Sequence, residues 1–271
     1  MTYSISCTAK SSAEDVPKMT LEGTIVHANS LPPVDPHLKP GAKFDLKRMP
    51  LDAPLALLWW RVPDWLSGTW KNTGKVKRLS FTDLAHPEKK EGFNLMEISY
   101  PDHEVIGYQE DRSGAIWTCV MTPYMGRTRQ VETTNISVVH SAIPLEISEK
   151  QIILKFVATT AIVGRNKRIV SVSQRESIQT YRPASPNRVI VLASMKYFDD
   201  TGLAKYESET LSHCERHLPF HEQSFIPAAE PFSLVDLRQS LDKFLRSQQL
   251  DALIPQRGYL EPPIGFRILV P

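Results

Sequence analysis

The sequence predicts one mainly β domain, an antiparallel up-and-down β-barrel around an apolar pocket, with a proline-rich N-terminal arm and a C-terminal α-helix packed outside. About nine short segments rich in β-branched and aromatic residues lie between Lys75 and His213, separated by turn-forming residues. Short reversals force antiparallel neighbours, and joining the first strand to the last removes both exposed edges. A chain of 271 residues with 41% hydrophobic residues can bury one core of this kind.

Two segments precede the predicted barrel. Residues 1–52 are expected to form an extended arm on the domain surface, because prolines interrupt any regular element there. Residues 53–271 are expected to form the barrel, the helix and a tail. Within them, residues 53–66 are strongly apolar and predict a short helix, broken or kinked near Pro63, that closes one end of the core.

The predicted strands follow as a meander with legible turns between them. Residues 123–126 and 199–202 combine glycine with proline or aspartate, which suits tight reversals. The strands are expected at residues 76–81, 93–100, 104–109, 115–121, 127–139, 151–163, 167–181, 188–198 and 203–213.

One helix is predicted near the C-terminus. Ser233 is a suitable N-cap, Asp236 stands in the first turn, and leucines follow at helical spacing as far as Leu250. The simplest interpretation is a helix that packs its apolar face on the outside of the sheet. A partner-binding role is the alternative.

A short motif stands where the apolar lead-in meets the first strand. Trp65-Leu66-Ser67-Gly68-Thr69-Trp70-Lys71 resembles the Gly-x-Trp signature of the calycin superfamily, which includes lipocalins, fatty-acid-binding proteins and nitrobindin-like haem-binding barrels. The resemblance implies a lipocalin-like barrel in which Trp70 closes the narrow end and Gly68 gives the backbone room beneath it. It also implies a small ligand inside the barrel.

The inner face of the sheet is inferred from one hairpin. A four-residue loop at 199–202 would place Lys196 opposite Lys205, which is tolerable only on the solvent side. The opposite face then combines bulky apolar groups with small hydroxyls, as a pocket for a mostly apolar ligand would. The predicted ligand-binding residues are Met195, Tyr197, Tyr206, Ser208 and Thr210 of this face, together with Trp117 in the middle of an earlier strand. The alternative is that the side chains of this face simply fill the barrel.

Three residues are candidates for chemistry. If Arg175 points inward, its guanidinium could anchor a carboxylate or an enolate; an outward, solvated Arg175 is the alternative. His140 could act as an acid or a base, or lie at the surface. Tyr206 would donate a proton if the barrel is an enzyme.

Metal and cofactor chemistry is not predicted. His213 and His217, with Cys214 and His221, are weak metal candidates, because Pro219 argues against the helix that would align them. In nitrobindin-like barrels a late histidine coordinates haem, and His213 is the nearest position here. P-loop, Gly-x-Gly-x-x-Gly, Gly-x-Ser-x-Gly and His-Glu-x-x-His motifs do not occur.

Composition narrows the possible partners and the cellular location of the protein. A formal charge of +2 gives no field that would attract nucleic acid, and no apolar run suits a membrane span. Three widely spaced cysteines and the lack of a signal-like start predict reduced thiols in the cytoplasm. We expect the protein to bind a small apolar or amphipathic molecule, and the oligomeric state is left open. The alternatives are a cofactor-independent cyclase or isomerase of a hydrophobic intermediate of secondary metabolism, and a scaffold acting through its arm and helix.

Overall fold

The structure, a computed structural model, describes residues 26–51, 54–87, 90–91, 94–97, 103–227, 233–256, 258 and 267–269. Residues 1–25 of the predicted arm, with Cys7, and both ends of the predicted strand 93–100 lie outside the described residues.

The described residues form β-strands, one α-helix and two short 3-10 helices. The helices are η1 (Leu46–Arg48), α1 (Leu237–Ser247) and η2 (Asp251–Leu253). The strands are β1 (Ala56–Val62), β2 (Gly68–Asp83), β3 (Lys90–Glu91), β4 (Asn94–Glu97), β5 (Glu104–Ile106), β6 (Gln109–Glu110), β7 (Ile116–Thr122), β8 (Tyr124–Arg129), β9 (Thr133–Ile147), β10 (Ile152–Gly164), β11 (Ile169–Ser185), β12 (Arg188–Phe198), β13 (Ala204–Leu218), β14 (Phe225–Pro227), β15 (Ser233–Asp236) and β16 (Arg267–Leu269).

A large antiparallel sheet forms the body of the fold. Its order is β3-β2-β13-β12-β11-β10-β9-β8, and β4 and β5 also pair with β2. Strands β8 to β13 are a meander, and the first long strand, β2, pairs with the last, β13, as expected for a barrel. Register shifts interrupt the β2–β13 and β9–β10 ladders, and such irregularities bend a sheet. The prediction of a mainly β, antiparallel, barrel-like fold is confirmed as a curled half-barrel, whose two end strands do not pair among the described residues.

A small sheet of order β1-β7-β6 covers the curled sheet. The prediction of a helix over residues 53–66 is wrong for its described part, because residues 56–62 pair with β7 as strand β1. Trp59 packs towards α1, whereas Trp60 packs towards the large sheet. Both faces of β1 are therefore covered over these residues, and a short run that is apolar on both faces cannot be told from a buried helix by its period.

The turn predicted at residues 123–126 is also wrong. Strand β8 begins at Tyr124, directly after β7, and the reversal comes at Gln130, whose N–H donates to the carbonyl of Thr133. The predicted strand 127–139 is consequently divided between β8 and β9. Proline is tolerated at the boundary of a strand, so Pro123 does not by itself mark a reversal.

The β12–β13 hairpin differs from its predicted register by two residues. Lys196 lies opposite Glu207, not Lys205, and its Nζ is 3.0 Å from a carboxylate oxygen of Glu207. A register shift follows Tyr197 at the turn. Because side chains alternate with a period of two, a two-residue shift leaves every side chain on its predicted face.

Helix α1 begins later than predicted. Asp236 is the N-cap, since its carboxylate accepts from the backbone N–H of Gln239 at 2.9 Å. Ser233 instead begins β15, which pairs with β14 and β16. Leu237, Leu241 and Leu245 are fully buried against the small sheet, so α1 covers the side of that sheet away from the half-barrel. None of the helices in the described part of the chain has the length and apolar character needed to cross a bilayer.

Residues 26–51 run across the outer face of the large sheet, the face turned away from the small sheet. Leu38 and Met49 are buried there against Ile136 and Val138. The N–H of Leu31 donates to the carbonyl of Gly202 at 3.0 Å, which ties this segment to the β12–β13 turn.

A buried carboxylate holds the start of this segment. Glu176, on β11, accepts from Lys155 Nζ at 2.7 Å, from the N–H of Ala28 at 3.0 Å and from His27 Nδ1 at 2.9 Å. Burial by itself would raise the pKa of Glu176, but the hydrogen bonds from Lys155 and Ala28 lower it overall. The cluster fastens residues 27–28 to two strands, because His27 Nε2 also lies 2.9 Å from Ser194 Oγ on β12, while Lys155 of β10 joins it through Glu176.

Candidate functional site

A cavity of about 690 Å³ lies between the half-barrel and the small sheet. Its volume is in the range of small-molecule sites. The apolar lining residues are Trp60, Leu66, Trp70, Val105, Ile106, Val120, Met121, Val139, Ile152, Leu154, Phe156, Val191, Ala193, Ile226 and Pro227. The polar and ionisable ones are Asn72, His103, Glu104, Tyr108, Thr118, Cys119, Tyr124, Arg175, Ser177, Gln179, Tyr181, Thr210, Ser212 and Cys214.

The Gly-x-Trp motif forms part of the wall. Trp70 is 2% exposed, and its Nε1 donates to the carbonyl of Leu66 at 2.8 Å. The guanidinium of Arg216 lies 4.6 Å from the centre of the Trp70 ring and donates to the carbonyls of Trp65 and Ser67. Gly68 has φ +126, and a Cβ there would lie 2.7 Å from the carbonyl oxygen of Leu218. Only glycine fits at this position without displacing the backbone of β13.

Arg175 lines the cavity from the middle of β11, so of the two orientations left open by the sequence the structure has the inward one. It stands opposite Ala158 of β10 and Tyr197 of β12. Its guanidinium makes no hydrogen bond and no ion pair with any residue that the structure describes. A guanidinium stays charged at any ordinary pH, so this part of the wall carries a fixed positive charge.

Glu104 brings a carboxyl group to the same cavity. It lies on β5 opposite Trp70 of β2, and cross-strand partners share a face of the sheet. The Glu104 side chain is exposed, and the surrounding protein still desolvates its carboxyl and raises its pKa. Within the described part of the chain it has no hydrogen-bond or ion-pair partner.

Two tyrosines lie within electrostatic reach of Glu104. Burial raises the pKa of Tyr108, and so does the negative charge of Glu104. Burial and Glu104 also raise the pKa of Tyr124, against the opposing effect of Arg175. The charges of Glu104 and Arg175 therefore both act on Tyr124. The phenols of Tyr108 and Tyr124 stay protonated near neutral pH.

The two described cysteines are free thiols on the cavity wall. Burial raises the pKa of Cys119, and burial with the charge of Glu104 raises that of Cys214 to about 12. Since the thiolate is the nucleophile, these thiols are unreactive near neutral pH.

The predicted ligand-binding residues of β12 and β13 share the inner face, but only Thr210 lines the cavity itself. Met195 pairs with Ser208 and Tyr197 pairs with Tyr206, two and four residues along the strands from the lining pair Ala193 and Thr210. The rings of Tyr197 and Tyr206 stack with centroids 4.4 Å apart. Burial raises the pKa of Tyr206, as does Tyr197, while Arg175 lowers it. This part of the predicted site therefore adjoins the cavity near Arg175.

Trp117 and His140 lie elsewhere. Trp117 packs edge-on against Phe244 of α1, and its Nε1 donates to Asp111 at 2.8 Å, so it serves the core beneath the helix. His140 is at a register shift of β9, with Nε2 3.4 Å from Thr159 Oγ1, and burial lowers its pKa. Neither residue lines the cavity.

The histidines at the end of β13 do not assemble a metal centre. His213 pairs with Ile190 in the ladder, and His217 is exposed with its ring 4.2 Å from that of His103. The described residues contain no group of three or more histidine, cysteine, aspartate or glutamate side chains that could hold a metal ion.

The sequence did not single out Glu104, Tyr124 or Cys119 as site residues, and it offered Cys214 only as part of a weak metal cluster. Glu104 is the first residue of a three-residue strand and has no nearby motif, while Tyr124 stands in a segment that was expected to be a turn. Only the pairing of β5 with β2, across some 35 residues of chain, brings Glu104 beside Trp70.

Comparisons with family models, with curated proteins and with solved structures returned no match.

Proposed function

We propose that this protein binds a small, largely apolar molecule carrying an anionic or oxygen-bearing end, inside the cavity of a calycin-like barrel in the cytoplasm. The observation that carries the proposal is Arg175, a guanidinium on the wall of a mainly apolar cavity, without a partner among the described residues. A charged group placed among apolar groups is costly unless it is paired. A carboxylate, enolate or phenolate oxygen of a ligand would supply that partner.

The rest of the lining fits such a molecule. Trp60, Val191 and Phe156 offer apolar surface, whereas Ser177 and Thr210 offer hydroxyl groups. Pockets for small ligands typically combine many apolar side chains with a few placed polar ones. Gly68 closely approaches the backbone of β13 and Trp70 is a buried indole, and these two features support the proposal of a calycin-like barrel. The proposed cytoplasmic location agrees with the free thiols of Cys119 and Cys214.

A matched pair of fluorescent probes tests this proposal. Anilinonaphthalene sulfonate carries an anionic group, and N-phenylnaphthylamine has the same ring system without it. We expect both to bind the cavity, and Arg175→Met to weaken the sulfonate by about 10- to 100-fold, because a hydrogen bond to a charged group contributes about 1.5–3 kcal/mol. Binding of the neutral probe should not change.

Two variants control the experiment. Arg188→Met removes a half-exposed arginine paired with Glu215 and should leave both affinities unchanged. Ala193→Trp fills the cavity and should reduce binding of both probes. Equal affinity of the sulfonate for the wild type and Arg175→Met would refute the anchor, and binding that survives Ala193→Trp would refute the cavity as the site.

Catalysis in the same cavity is the second candidate function, and one observation favours it. Glu104 places a group that can exchange a proton on the wall, where a simple carrier would need only apolar groups and hydroxyls. In this case the protein would be a cofactor-independent isomerase or cyclase of an apolar substrate.

A further inference from the structure

Among the residues that the structure describes, the cavity wall carries one carboxyl group and one guanidinium that do not neutralise each other. Glu104 and Arg175 both line it, and they form no ion pair with each other or with another described residue. The buried carboxylates of the described chain are fully engaged, whereas Glu104 is exposed. Glu176 has three partners, and Asp111 accepts from Ser113, Ala115 and Trp117. Glu104 and Arg175 therefore differ from the structural ion pairs of this protein.

Arg175 is half-buried on a mainly apolar wall, where an unpaired charge costs stability. Glu104 lines the same cavity, and the presence of both groups there indicates a role for them at this site. Tyr108, Tyr124 and Cys214 are the groups whose pKa the charge of Glu104 raises, and all three remain protonated near neutral pH. His103 also lines the cavity. Burial shifts the pKa of Glu104 towards the range in which a carboxyl group both takes and returns a proton.

We propose that Glu104 is the acid–base residue of a proton-transfer reaction on a carbon acid, a β,γ-unsaturated ketone or a similar carbonyl compound with an apolar skeleton, whose oxygen is held by Arg175. This inference rests on the proposed function, since the substrate must first occupy the cavity. It assigns a reaction class and a catalytic residue to that site.

The reaction is balanced without any cofactor. The carboxylate of Glu104 takes the proton from the carbon next to the carbonyl, and the C–H electron pair forms a carbon–carbon double bond. The carbonyl π pair moves to oxygen, where the guanidinium of Arg175 stabilises the negative charge. The carbonyl then re-forms, and the enolate double bond moves to the α,β position. The π pair of the former β,γ double bond takes the proton back from the carboxylic acid at the γ carbon. The product is the conjugated isomer, and Glu104 ends as a carboxylate.

Ring opening of nitrobenzisoxazole tests the acid–base residue without knowledge of the natural substrate. A base removes one C–H proton, its electron pair forms a nitrile, and the N–O bond breaks to give a coloured phenolate. A desolvated carboxylate near a cation should catalyse this reaction, because general-base catalysis contributes about 10²- to 10⁴-fold. We expect Glu104→Gln to lower the rate by about 100-fold or more, and Glu104→Asp to retain part of it.

The pH profile gives a second readout. Because the base must be deprotonated, the rate of the wild type should rise with pH, with a midpoint above 4.5, the ordinary pKa of a glutamate. Glu132→Gln removes a carboxylate whose side chain is 72% exposed, as a matched control, and should have no effect.

Binding of N-phenylnaphthylamine separates the two proposals. Loss of ring opening in Glu104→Gln with unchanged binding of the neutral probe supports the inference. A wild type that binds the probe but opens the ring no faster than Glu104→Gln overturns the inference and leaves the binding function standing. A wild type that does not bind the probe overturns both.

Discussion

Replacing Trp70 by alanine should be among the most destabilising single changes in this protein. The side chain is 2% exposed, donates a hydrogen bond to Leu66 and lies beneath the guanidinium of Arg216. Truncation of a buried tryptophan typically costs about 3–5 kcal/mol in the free energy of unfolding. One side of the ring already borders the cavity and makes fewer packing contacts there, so we expect about 3–4 kcal/mol.

Urea unfolding followed by circular dichroism would measure this change as a shift of the midpoint at constant slope. Trp70→Phe keeps one six-membered ring but loses the second ring and the indole N–H, so it should cost less than Trp70→Ala, about 1–2 kcal/mol, partly through the unsatisfied carbonyl of Leu66. Val131→Ala, at a position 80% exposed, serves as the neutral control. A cost below about 1 kcal/mol for Trp70→Ala, or an equal cost for both variants at Trp70, would refute the reasoning.

Three further changes test the outer face, the helix and the carboxylate cluster. Gly202→Ala should destabilise the protein by at least about 1 kcal/mol in thermal unfolding, because φ is +85 and the new Cβ would lie 1.9 Å from the Leu31 carbonyl oxygen; an unchanged Tm would contradict this packing. Leu241→Ala should cost about 2–5 kcal/mol in urea unfolding, since the side chain is fully buried under the helix, and a smaller loss would mean that α1 is loosely docked. The pKa of Glu176 is lowered in the folded protein, so its contribution is present above the ordinary value of 4.5 and is lost as pH falls below it. Unfolding measured against pH should show this loss in the wild type and not in Glu176→Gln, and parallel curves would argue against the cluster.

Local sequence was sufficient for the β12–β13 hairpin and for the existence of helix α1. A register that differs by two residues keeps Lys196 and Glu207 on the outer face. Ala193 and Thr210 were therefore assigned correctly to the inner face, although the predicted register was wrong. The leucines of α1 follow the helical period over 11 residues, and a periodicity of this length can be recognised in the sequence alone. Its N-cap was misplaced because both Ser233 and Asp236 suit that position, and only the pairing of β15 decides between them.

The candidate site was less accessible to sequence reasoning, for two physical reasons. Strand β11 has polar residues on both faces around Arg175, because its outer face is covered by residues 26–51 through Glu176 and Gln174. Alternation therefore could not show which face is inner. Glu104 depends on a contact between β5 and β2 that no local pattern encodes.

The arrangement of the small sheet affects how the ligand specificity of this protein can evolve. Trp59 and Trp60 are adjacent in sequence, yet Trp59 donates a hydrogen bond to Ser240 of the helix while Trp60 lines the cavity. The two faces of strand β1 thus have different roles: one face packs against helix α1, and the other shapes the cavity. If the cavity is the binding site, ligand preference can drift through substitutions at Trp60 or Val120 while the neighbouring positions keep the helix in place. Because side chains of β1 alternate between the cavity and the helix, substitutions on the cavity face can change ligand specificity while those on the helix face maintain stability.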